Sequence, residues 1–411
     1  SKKTINTESA AKVIERYVKN IGPRQAEVIK SPVELANSRV DELPDIDTNE
    51  ITVQPNTILY AEIFATSEKC GQGRDGWINE MAKKFNNAGY EVKGEPVSVM
   101  IRSVASGLGM DYISTGKYVP DGYTPSNDFW SKMLIADGVQ METVSDRLVD
   151  NTAGILLSKD THKRLVEKYG SINLKTIVEA TANGEFAMGY TNPYASATGL
   201  NFLISTLQTY NVQDPLSSDA VEGFQSFQSN VPFVAYTTLQ MRDAAETGTL
   251  DGFVMEYQTY INDSELVRKY EFTPFGFLHT NPLYTTSETE ETKKEILRQF
   301  AQFCQTEENQ KLAKEYGFNV DLNYTVEQRE VDGTTLLNAQ ELWKKEKDSG
   351  KPILAVFVAD VSGSMDGEPL NSLKTSLING MQYINTTNYV GLVSYSDEVV
   401  INVPVGQFNL N

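Results

Sequence analysis

The alternation of strand-like and helix-like segments between residues 57 and 323 most constrains the fold. Segments in which apolar residues recur at helical spacing lie between short apolar runs of strand length. These runs are residues 58–65, 97–104, 153–158, 186–190 and 252–257. Such alternation predicts β-α-β units, in which helices cover a largely parallel sheet. No low-complexity stretch interrupts residues 57–323, so we predict one continuous α/β body.

The segments on either side of this body have different patterns. Residues 1–56 predict a short helix followed by a proline-rich extended leader. Residues 324–351 are polar and predict a linker that contains a helix and ends in a hinge. Residues 352–411 predict a further strand, a helix and two more strands. The first of these strands, residues 353–359, is a continuous apolar run, which is typical of a strand covered on both faces.

The charge of the chain limits its partners. The net charge of −19 opposes binding to nucleic acid phosphates or to anionic lipid headgroups. No apolar run approaches the ~20 residues of a membrane span, so membrane contact is expected only through an anchor absent from this chain. The two cysteines, Cys70 and Cys304, do not make a disulfide framework, although one long-range disulfide stays open.

Small polar residues recur where the predicted strands end and the helices begin. Ligand sites of open α/β sheets lie at the carboxyl ends of their strands, where hydroxyls and free backbone N–H groups hold a small anion or polar solute. The candidate cleft residues are Thr66, Ser67, Ser103, Ser106, Thr191, Asn192, Ser196, Thr198 and Glu256. The alternative is that the serines and threonines only cap helices, which is their common role, and that Glu256 is solvated.

A glycine pattern offers a rival interpretation. Gly71, Gly73 and Gly76 satisfy the spacing of the dinucleotide-binding fingerprint, and Glu95 follows at a suitable distance for a ribose. Residues 66–70, however, separate the preceding strand from the first glycine, whereas the fingerprint should follow its strand directly. We therefore interpret the segment as a flexible glycine loop at the rim of a cleft.

The sequence contains no recognisable catalytic constellation. It has no Ser/His/Asp order, no HExxH and no phosphate-binding P-loop, and His162 and His279 are its only histidines. The histidines are expected to be surface or packing residues. We predict a protein that is not an enzyme. An enzyme that uses carboxylates such as Glu62 or Glu256 remains an alternative.

A second candidate site follows the apolar run near the end of the chain. Asp360, Ser362 and Ser364 supply a carboxylate and two hydroxyls, which are the hard oxygen donors that Mg²⁺ and Ca²⁺ prefer. Gly363 permits a tight turn between the two serines. The pattern predicts a divalent cation site on a strand-to-helix loop.

Residues 353–366, ILAVFVADVSGSMD, resemble the start of a von Willebrand factor type A domain. The metal-ion-dependent adhesion site of that family has the pattern Asp-x-Ser-Gly-Ser-Met. The resemblance implies that Asp360, Ser362 and Ser364 ligate Mg²⁺ or Ca²⁺, with Mn²⁺ as a third choice. It also implies that an acidic group of a protein partner completes the coordination. The family's later Thr and Asp ligand loops lie beyond Asn411, so we expect poor metal affinity from the partial domain.

Residues 57–323 resemble bacterial extracellular solute-binding proteins of the two-lobed, periplasmic-receptor type. The resemblance rests on the strand-to-helix turns at the candidate cleft residues and on the stretches 118–127, 189–199 and 252–257. The body is followed by a helix with Trp343 and then by the Asp-x-Ser-Gly-Ser strand. This order resembles that of a bacterial family that joins a solute-binding-like domain to a von Willebrand factor A domain.

These observations predict a two-lobed, type 2 periplasmic-binding-protein-like α/β body with mixed sheets, followed by the start of a Rossmann-like von Willebrand factor A domain. Lobe 1 is expected to comprise about residues 57–150 and 256–323, and lobe 2 about residues 151–255. The linker helix lies in residues 324–351, and the partial A domain spans residues 352–411.

The predicted function is that of a non-enzymatic protein at the surface of a bacterium, with a Gram-positive one favoured. It would display a metal-dependent adhesion module to an unknown protein partner, and a small solute could occupy the cleft. The alternative is the solute receptor of an ABC-type transporter, with a small anion or polar solute bound between the lobes.

Overall fold

The computed structural model describes residues 7–19, 43–231, 233–235, 238, 241–242, 245, 250–348, 353–381, 384 and 388–408. The strands are β1 (Ile51–Val53), β2 (Leu59–Ala65), β3 (Glu91–Val92), β4 (Glu95–Ser103), β5 (Gly122–Thr124), β6 (Met141–Ser145), β7 (Asn151–Ser158), β8 (Met188–Thr191), β9 (Phe233–Ala235), β10 (Gly252–Glu256), β11 (Tyr270–His279), β12 (Leu283–Thr286), β13 (Leu354–Asp360), β14 (Tyr389–Tyr395) and β15 (Val399–Gln407).

The helices are α1 (Thr7–Lys19), α2 (Ser67–Cys70), α3 (Trp77–Asn87), α4 (Ser106–Thr115), α5 (Phe129–Ala136), α6 (Lys159–Tyr169), α7 (Leu174–Ala182), α8 (Ala197–Tyr210), α9 (Ser218–Gln228), α10 (Tyr257–Ile261), α11 (Ser264–Lys269), α12 (Glu291–Cys304), α13 (Glu307–Glu315), α14 (Gly333–Glu346) and α15 (Glu368–Met381). Short 3₁₀ turns lie at Ile46–Thr48, Gly73–Asp75 and Gly363–Met365.

The first lobe is built on a mixed sheet with the strand order β1-β4-β2-β5-β12-β6, and β3 pairs with β4. Strand β2 runs parallel to β4 and β5, whereas β12 is antiparallel to β5 and β6. Successive residues of a strand point to opposite faces, so Ile63 joins one apolar cluster and Phe64 the other. Both faces of this sheet are therefore buried, which explains why β2 is almost continuously apolar.

The second lobe is built on a mixed sheet with the order β11-β7-β10-β8-β9. Strand β7 is antiparallel to β10 and β11, and β8 is parallel to β10 and β9. Val254 packs into the cluster shared with α8, whereas Phe253 and Met255 pack into a cluster on the other face. Two lobes with mixed sheets agree with the fold predicted from the sequence.

The position of the second crossing between the lobes differs from the prediction. We expected residues 256–323 to belong to lobe 1, but β11 pairs with β7 in the second sheet. The chain re-enters the first sheet only at β12. The sequence did not indicate this because β11 contains Pro274 and Gly276, and its pairing with β7 shifts register near them.

The two crossings between the lobes are hydrogen-bonded to each other. The backbone N–H of Leu148 donates to the carbonyls of Thr280 (3.2 Å) and Asn281 (3.0 Å). Asn281 is fully buried and has a left-handed backbone, with φ of 46°. Its amide Nδ2 donates to the Val149 carbonyl at 3.1 Å, and its Oδ1 accepts from Lys69 Nζ at 2.8 Å. Asparagine tolerates this conformation better than most residues, so the side chain both permits and stabilises the hinge.

Helix α14 packs against both lobes. It contacts α5 of the first lobe and α8 and α9 of the second. Trp343 is buried, and its Nε1 donates to the Tyr190 hydroxyl at 2.6 Å. Gln340 Nε2 donates to the Pro193 carbonyl at 3.1 Å. At the start of the helix, a Cβ on Gly333 would lie 2.0 Å from the Lys132 carbonyl oxygen. The segment predicted as a linker helix is thus fully packed in the body.

The carboxyl-terminal segment, residues 353–381 and 388–408 of those described, has a three-stranded sheet in the order β13-β14-β15. Strands β13 and β14 are parallel, and β15 is antiparallel to β14. This strand-loop-helix-strand order agrees with the predicted elements. The expectation that β13 is covered on both faces was wrong, because Leu354 and Val358 are 60% and 65% exposed. Alternate residues of β13 have no covering layer among the described residues.

Three smaller expectations concern the ends of the chain, the cysteines and the membrane. Helix α1 is present, whereas residues 20–42 of the expected leader lie outside the described residues. Cys70 and Cys304 are both buried and free, so the long-range disulfide left open above is not formed. Among the described residues, no helix has the length and apolar character needed to span a bilayer.

Candidate functional site

A small, partly open cavity lies between the two lobes and has a volume of about 20 Å³. We call it the cleft cavity. The first lobe contributes to its lining Thr66, Ser67, Glu68, Ala105, Ser106 and Ser126. The second lobe contributes Ala195, Ser196, Ala197, Thr238 and Glu256. These residues lie where β2, β4, β5, β8 and β10 end, which is the edge of the sheets where the sequence predicted a solute site.

The structure brings five of the nine predicted cleft residues together around this cavity. They are Thr66, Ser67, Ser106, Ser196 and Glu256. The other four are Ser103, Thr191, Asn192 and Thr198, and none of them lines it.

The last four residues have other contacts. Thr198 is buried, and its hydroxyl donates to Glu256 Oε1 at 3.1 Å. The Thr191 hydroxyl donates to Ser196 Oγ at 2.9 Å. Asn192 shapes the loop, because its Oδ1 accepts from the Tyr194 backbone N–H at 2.8 Å. Ser103 ends β4 and lines a different cavity.

The helix-cap alternative holds for one of the candidates in particular. Ser196 is the N-cap of α8, and its hydroxyl oxygen accepts from the Gly199 backbone N–H at 3.3 Å. Thr66 and Ala105, which precede α2 and α4, make no side-chain cap. Capping therefore does not account for the buried hydroxyl of Thr66.

Glu68 enters the cavity from α2. Its side chain is buried, and its Oε1 accepts hydrogen bonds from the hydroxyls of Thr66, at 2.5 Å, and of Ser126. Burial, and then the nearby carboxylate of Glu256, raise the pKa of Glu68 above its usual value. The group thus resists ionisation unless a positive charge approaches it.

Glu256 enters the cavity from the end of β10. Its Oε2 accepts from Asn151 Nδ2 at 2.5 Å and lies 3.3 Å from His279 Nδ1. Together with the bond from Thr198, the carboxylate has three donors, which suit its charged form. Glu256 is 2% exposed, so the alternative of a solvated residue is wrong.

The tautomer of His279 follows from its second nitrogen. Asn201 Oδ1 accepts from the Phe277 backbone N–H at 3.1 Å, so the amide nitrogen of Asn201 is the group that faces His279 Nε2, at 3.0 Å. Nε2 is therefore the acceptor, and Nδ1 carries the hydrogen that points at Glu256. His279 is thus a neutral donor to Glu256, whereas we expected a surface or packing residue from the sequence.

Lys69 is fully buried beside the hinge. Its Nζ donates to Asn281 Oδ1 at 2.8 Å and to the carbonyls of Thr124 and Pro125 at 3.0 and 3.4 Å. These three acceptors are neutral and use all three of its donors. Burial lowers the pKa of Lys69, although the nearby Glu68 and Glu256 oppose this effect.

The lobes are in contact over the cavity. The backbone N–H of Gly107, in the first turn of α4, donates to the Ala195 carbonyl at 2.9 Å. A Cβ at Gly107 would lie 1.6 Å from the Tyr194 carbonyl oxygen, so only glycine fits there. Arg242 of the second lobe also pairs with Asp75 of the first, at 3.2 Å. The cleft is therefore closed.

A larger, open cavity of about 650 Å³ adjoins the cleft cavity at Ser67. Its lining includes the glycine loop, Ser103, Asp75 and Arg242. Helix α2 lies between β2 and that loop, so the glycines do not follow their strand directly. This geometry supports a cleft rim rather than a dinucleotide site.

The sequence missed Glu68, Ser126, Thr238, Asn151 and His279 as cleft residues. Ser126 follows a strand end and was available to the argument used for the others. Glu68 stands one residue after Ser67, but a glutamate in a polar loop is usually solvated. His279 and Asn151 become neighbours of Glu256 only through the pairing of the second sheet.

The carboxyl-terminal loop places its three predicted metal ligands close together. Asp360 Oδ1 accepts from the Ser362 backbone N–H at 2.9 Å, and the hydroxyls of Ser362 and Ser364 lie 3.1 Å apart. Hydrogen bonds from Ser362 lower the pKa of Asp360. A carboxylate and two hydroxyls on one loop fit a hard cation chemically, although three ligands are fewer than the six such an ion usually takes.

Comparisons with known proteins bear on the body. The model of a protein family described as bacterial extracellular solute-binding protein matches residues 70–319. A periplasmic thiamin binding protein has a similar structure, with 12% identity and a TM-score of 0.51 over 72% of this chain and 98% of that one. AfuA of Actinobacillus pleuropneumoniae, solved with fructose 6-phosphate, shows 13% identity and a TM-score of 0.52 over 71% and 99%. A search of curated protein sequences found no match.

The family match corrects the main functional prediction. We expected a protein whose role is to display a metal-dependent adhesion module to a protein partner. The match instead covers most of the body and describes solute binding, which was the stated alternative. The comparisons give no support to the resemblance of residues 352–411 to a von Willebrand factor A domain, which stays a prediction.

Proposed function

The chain belongs to the family of bacterial extracellular solute-binding proteins, and we propose that it is the solute receptor of an ABC-type transporter. The receptor binds a small solute between its lobes and does not transform it. The observation that carries this proposal is a cavity between two lobes that contact each other, lined by hydroxyl and carboxyl groups from both lobes. Closure of two lobes around a site is a common way for such proteins to trap a ligand.

Gly107 offers a direct test of closure, because any side chain at this position collides with the Tyr194 carbonyl. Gly107→Val should therefore hold the lobes apart. We expect the variant to have a larger radius of gyration by small-angle X-ray scattering. It should also lose the rise in unfolding temperature that a bound solute gives the parent protein.

The control is Ser114→Val, which places the same β-branched residue on α4 away from the contact between the lobes. The solutes for the test are ethanolamine, sulfate, glucose, thiamin and fructose 6-phosphate. If Gly107→Val binds as tightly as the parent protein, closure is not part of binding. If no solute binds to or compacts the parent protein, the receptor function is wrong.

The family description supports an extracellular or periplasmic location. We propose that the protein works at the outer face of a bacterial membrane and hands its solute to a membrane-embedded transporter. An anchored form at the surface of a Gram-positive cell is the arrangement proposed from the sequence. Fractionation of the native cells, with the protein detected in the membrane or the soluble extracellular fraction, tests this.

A separate proposal concerns the loop after β13. We propose that Asp360, Ser362 and Ser364 bind a divalent cation, because their oxygen atoms lie together on one exposed loop. When bound, the cation would supply a positive charge for an external oxygen ligand. Calorimetric titration of Mg²⁺, Ca²⁺ and Mn²⁺ into the protein and its Asp360→Ala variant tests the site. Equal heats from both proteins would contradict it.

A further inference from the structure

We propose that the cleft selects a positively charged solute, specifically one with a primary ammonium group, which Glu68 and Glu256 hold between the lobes. This inference rests on the proposed receptor function and specifies its solute class. The sequence suggested a small anion or polar solute, and the inference narrows this to a cationic polar solute.

The balance of charge in the cleft is the first observation. Two carboxylates, one from each lobe, line the same cavity, and no described residue with a cationic side chain lines it. Lys69 lies nearby, but its three donors are used by neutral oxygen atoms. His279 is a neutral donor to Glu256. When both carboxyl groups are ionised, their two negative charges exceed the single positive charge of Lys69.

An unused hydrogen-bond acceptor is the second, independent observation. Glu68 is only 4% exposed, and its Oε1 has two hydroxyl donors. None of the residues that the structure describes donates to its Oε2. A carboxyl oxygen of a cavity-lining residue that has no donor among these residues is available to accept a hydrogen bond from a ligand.

The helix N-termini at the cleft also favour a cation. In many proteins such termini bind the anion of a ligand. Here the first turn of α8 already has an anion, because Thr198 donates to Glu256. The first turn of α4 lies beside Glu68, since Ser106 Oγ accepts from the backbone N–H of Ser126, whose hydroxyl binds Glu68. A solute anion would add a third negative charge to this pair of carboxylates.

Size and ligand number distinguish an ammonium group from a metal ion. The cavity of about 20 Å³ is large enough for one water molecule, and an ammonium group is of similar size. Such a group has three N–H donors, which match carboxylate and hydroxyl acceptors. A hard divalent ion takes about six oxygen ligands. Among the described residues, we find no group of three or more Asp, Glu, His or Cys side chains that could hold such an ion.

The same pair of carboxylates couples binding to closure. Glu68 belongs to the first lobe and Glu256 to the second, so closing an empty cleft brings two carboxyl groups together and opposes the ionisation of both. Their proximity contributes to the raised pKa of Glu68. A cation between them permits both to ionise, so binding of the solute favours closure.

The test uses the whole protein and probes matched by charge. Methylammonium, ethanolamine and putrescine are the ammonium probes. Tetramethylammonium has the charge without an N–H, sulfate and glucose are the anionic and neutral probes, and Mg²⁺ tests a metal. We expect an ammonium probe to raise the unfolding temperature and to give a saturable calorimetric titration, and tetramethylammonium, sulfate and glucose to give neither. Mg²⁺ is titrated into the Asp360→Ala variant, so that the carboxyl-terminal loop does not contribute, and there we expect no binding.

Two isosteric variants assign the binding to the cleft. Glu68→Gln and Glu256→Gln each remove one negative charge and keep the shape, so we expect ammonium binding to weaken on the order of 100-fold. The matched control is Glu167→Gln, an exposed glutamate on α6. Unchanged circular dichroism of each variant shows that the loss does not come from misfolding.

The outcomes separate this inference from the receptor function. Binding of sulfate, glucose or fructose 6-phosphate, with no ammonium binding, overturns the cationic solute and leaves the receptor function intact. Binding of Mg²⁺ that is lost in both glutamine variants replaces the ammonium group with a metal. Ammonium binding that is equally strong in the parent protein and both variants also overturns the inference. If no probe binds and scattering shows no compaction, both proposals are overturned.

Discussion

The cleft cavity and the carboxyl-terminal loop differ in how their residues come together. In the loop, Asp360, Ser362 and Ser364 are neighbours in the sequence, so a five-residue motif brings their oxygen atoms close. In the cleft, Glu68 and Glu256 come from different lobes and meet only when both sheets have formed and closed. Asp360 and Ser362 are partly exposed and Ser364 is exposed, whereas Glu68 and Glu256 are buried.

This difference explains why the more recognisable motif was the poorer guide to function. A contiguous pattern can be recognised without knowledge of the fold, so it dominated the sequence-based prediction. The cleft has no contiguous pattern, and its charge depends on pairings such as Asn151 with Glu256 and His279 with Glu256. Burial also makes each polar contact there more consequential than one in water.

The largest expected effect comes from the helix that packs on both lobes. Trp343→Ala removes a side chain that is 2% exposed and leaves the Tyr190 hydroxyl without its donor. We expect it to lower the free energy of unfolding of the body by about 3–5 kcal/mol. Denaturant unfolding with circular dichroism measures this. Val358→Ala in β13 is the contrasting variant, and we expect it to change stability by less than about 0.5 kcal/mol.

A second effect tests the hinge below the cleft. Asn281→Leu removes the bonds to Val149 and Lys69 and strains the left-handed backbone. We expect the free energy of unfolding to fall by about 2–4 kcal/mol. Asn281→Gly tolerates the left-handed backbone, so it should destabilise the protein less than Asn281→Leu. Asn323 has a similar φ of 54° but is exposed, so Asn323→Leu shows the cost of the backbone alone. Equal losses at both positions would contradict a special role for the hinge.

The pH dependence of the cleft is a smaller effect. Burial and Glu256 raise the pKa of Glu68 above its usual value of 4.5, while Lys69 opposes this shift. Cys70 and His279 are the other titratable groups nearby. The folded state therefore holds this proton more tightly than the unfolded state. The free energy of unfolding without solute should fall as pH rises from 4.5 through the raised pKa, because the unfolded state binds fewer protons than the folded state in this range.

Solute binding should show the opposite trend, because only the ionised Glu68 attracts a cation. Ammonium affinity should therefore rise over the same pH window in which stability without solute falls. Calorimetric titrations and denaturant unfolding at matched pH values measure both. In Glu68→Gln the two trends should be reduced together, and an unaltered profile would mean that another group titrates.

The smallest expected effect tests whether the two sites are independent. Asp360→Ala should abolish divalent cation binding to the loop and leave ammonium binding to the cleft within about twofold of the parent protein. Glu68→Gln should weaken ammonium binding to the cleft and leave divalent cation binding to the loop within about twofold of the parent protein. Parallel titrations of both variants with Mg²⁺ and ethanolamine give the answer. A loss of cleft binding in Asp360→Ala would show that the two sites are coupled.

Much of the fold could be predicted because strands and helices have local signals. The apolar runs that became β2, β4, β7 and β10 were found from their composition, and the caps and strand ends located five residues of the cleft cavity. The lobe to which β11 belongs could not be predicted, because strand pairing depends on residues distant in the chain. The burial of Glu68 was hidden for the same reason.

The sequence by itself determined the order of the strands and helices, the positions of the hydroxyl residues at the strand ends, and the oxygen-bearing residues of the carboxyl-terminal loop. These features depend on residues a few positions apart. Only the tertiary structure decided that Glu68 and Glu256 share one cavity, that His279 is a neutral donor, and that Gly107 lets the lobes close. The physical reason is that the charge and the shape of a cleft depend on many residues at once. These residues are distant in the sequence, and only the folded lobes bring them together.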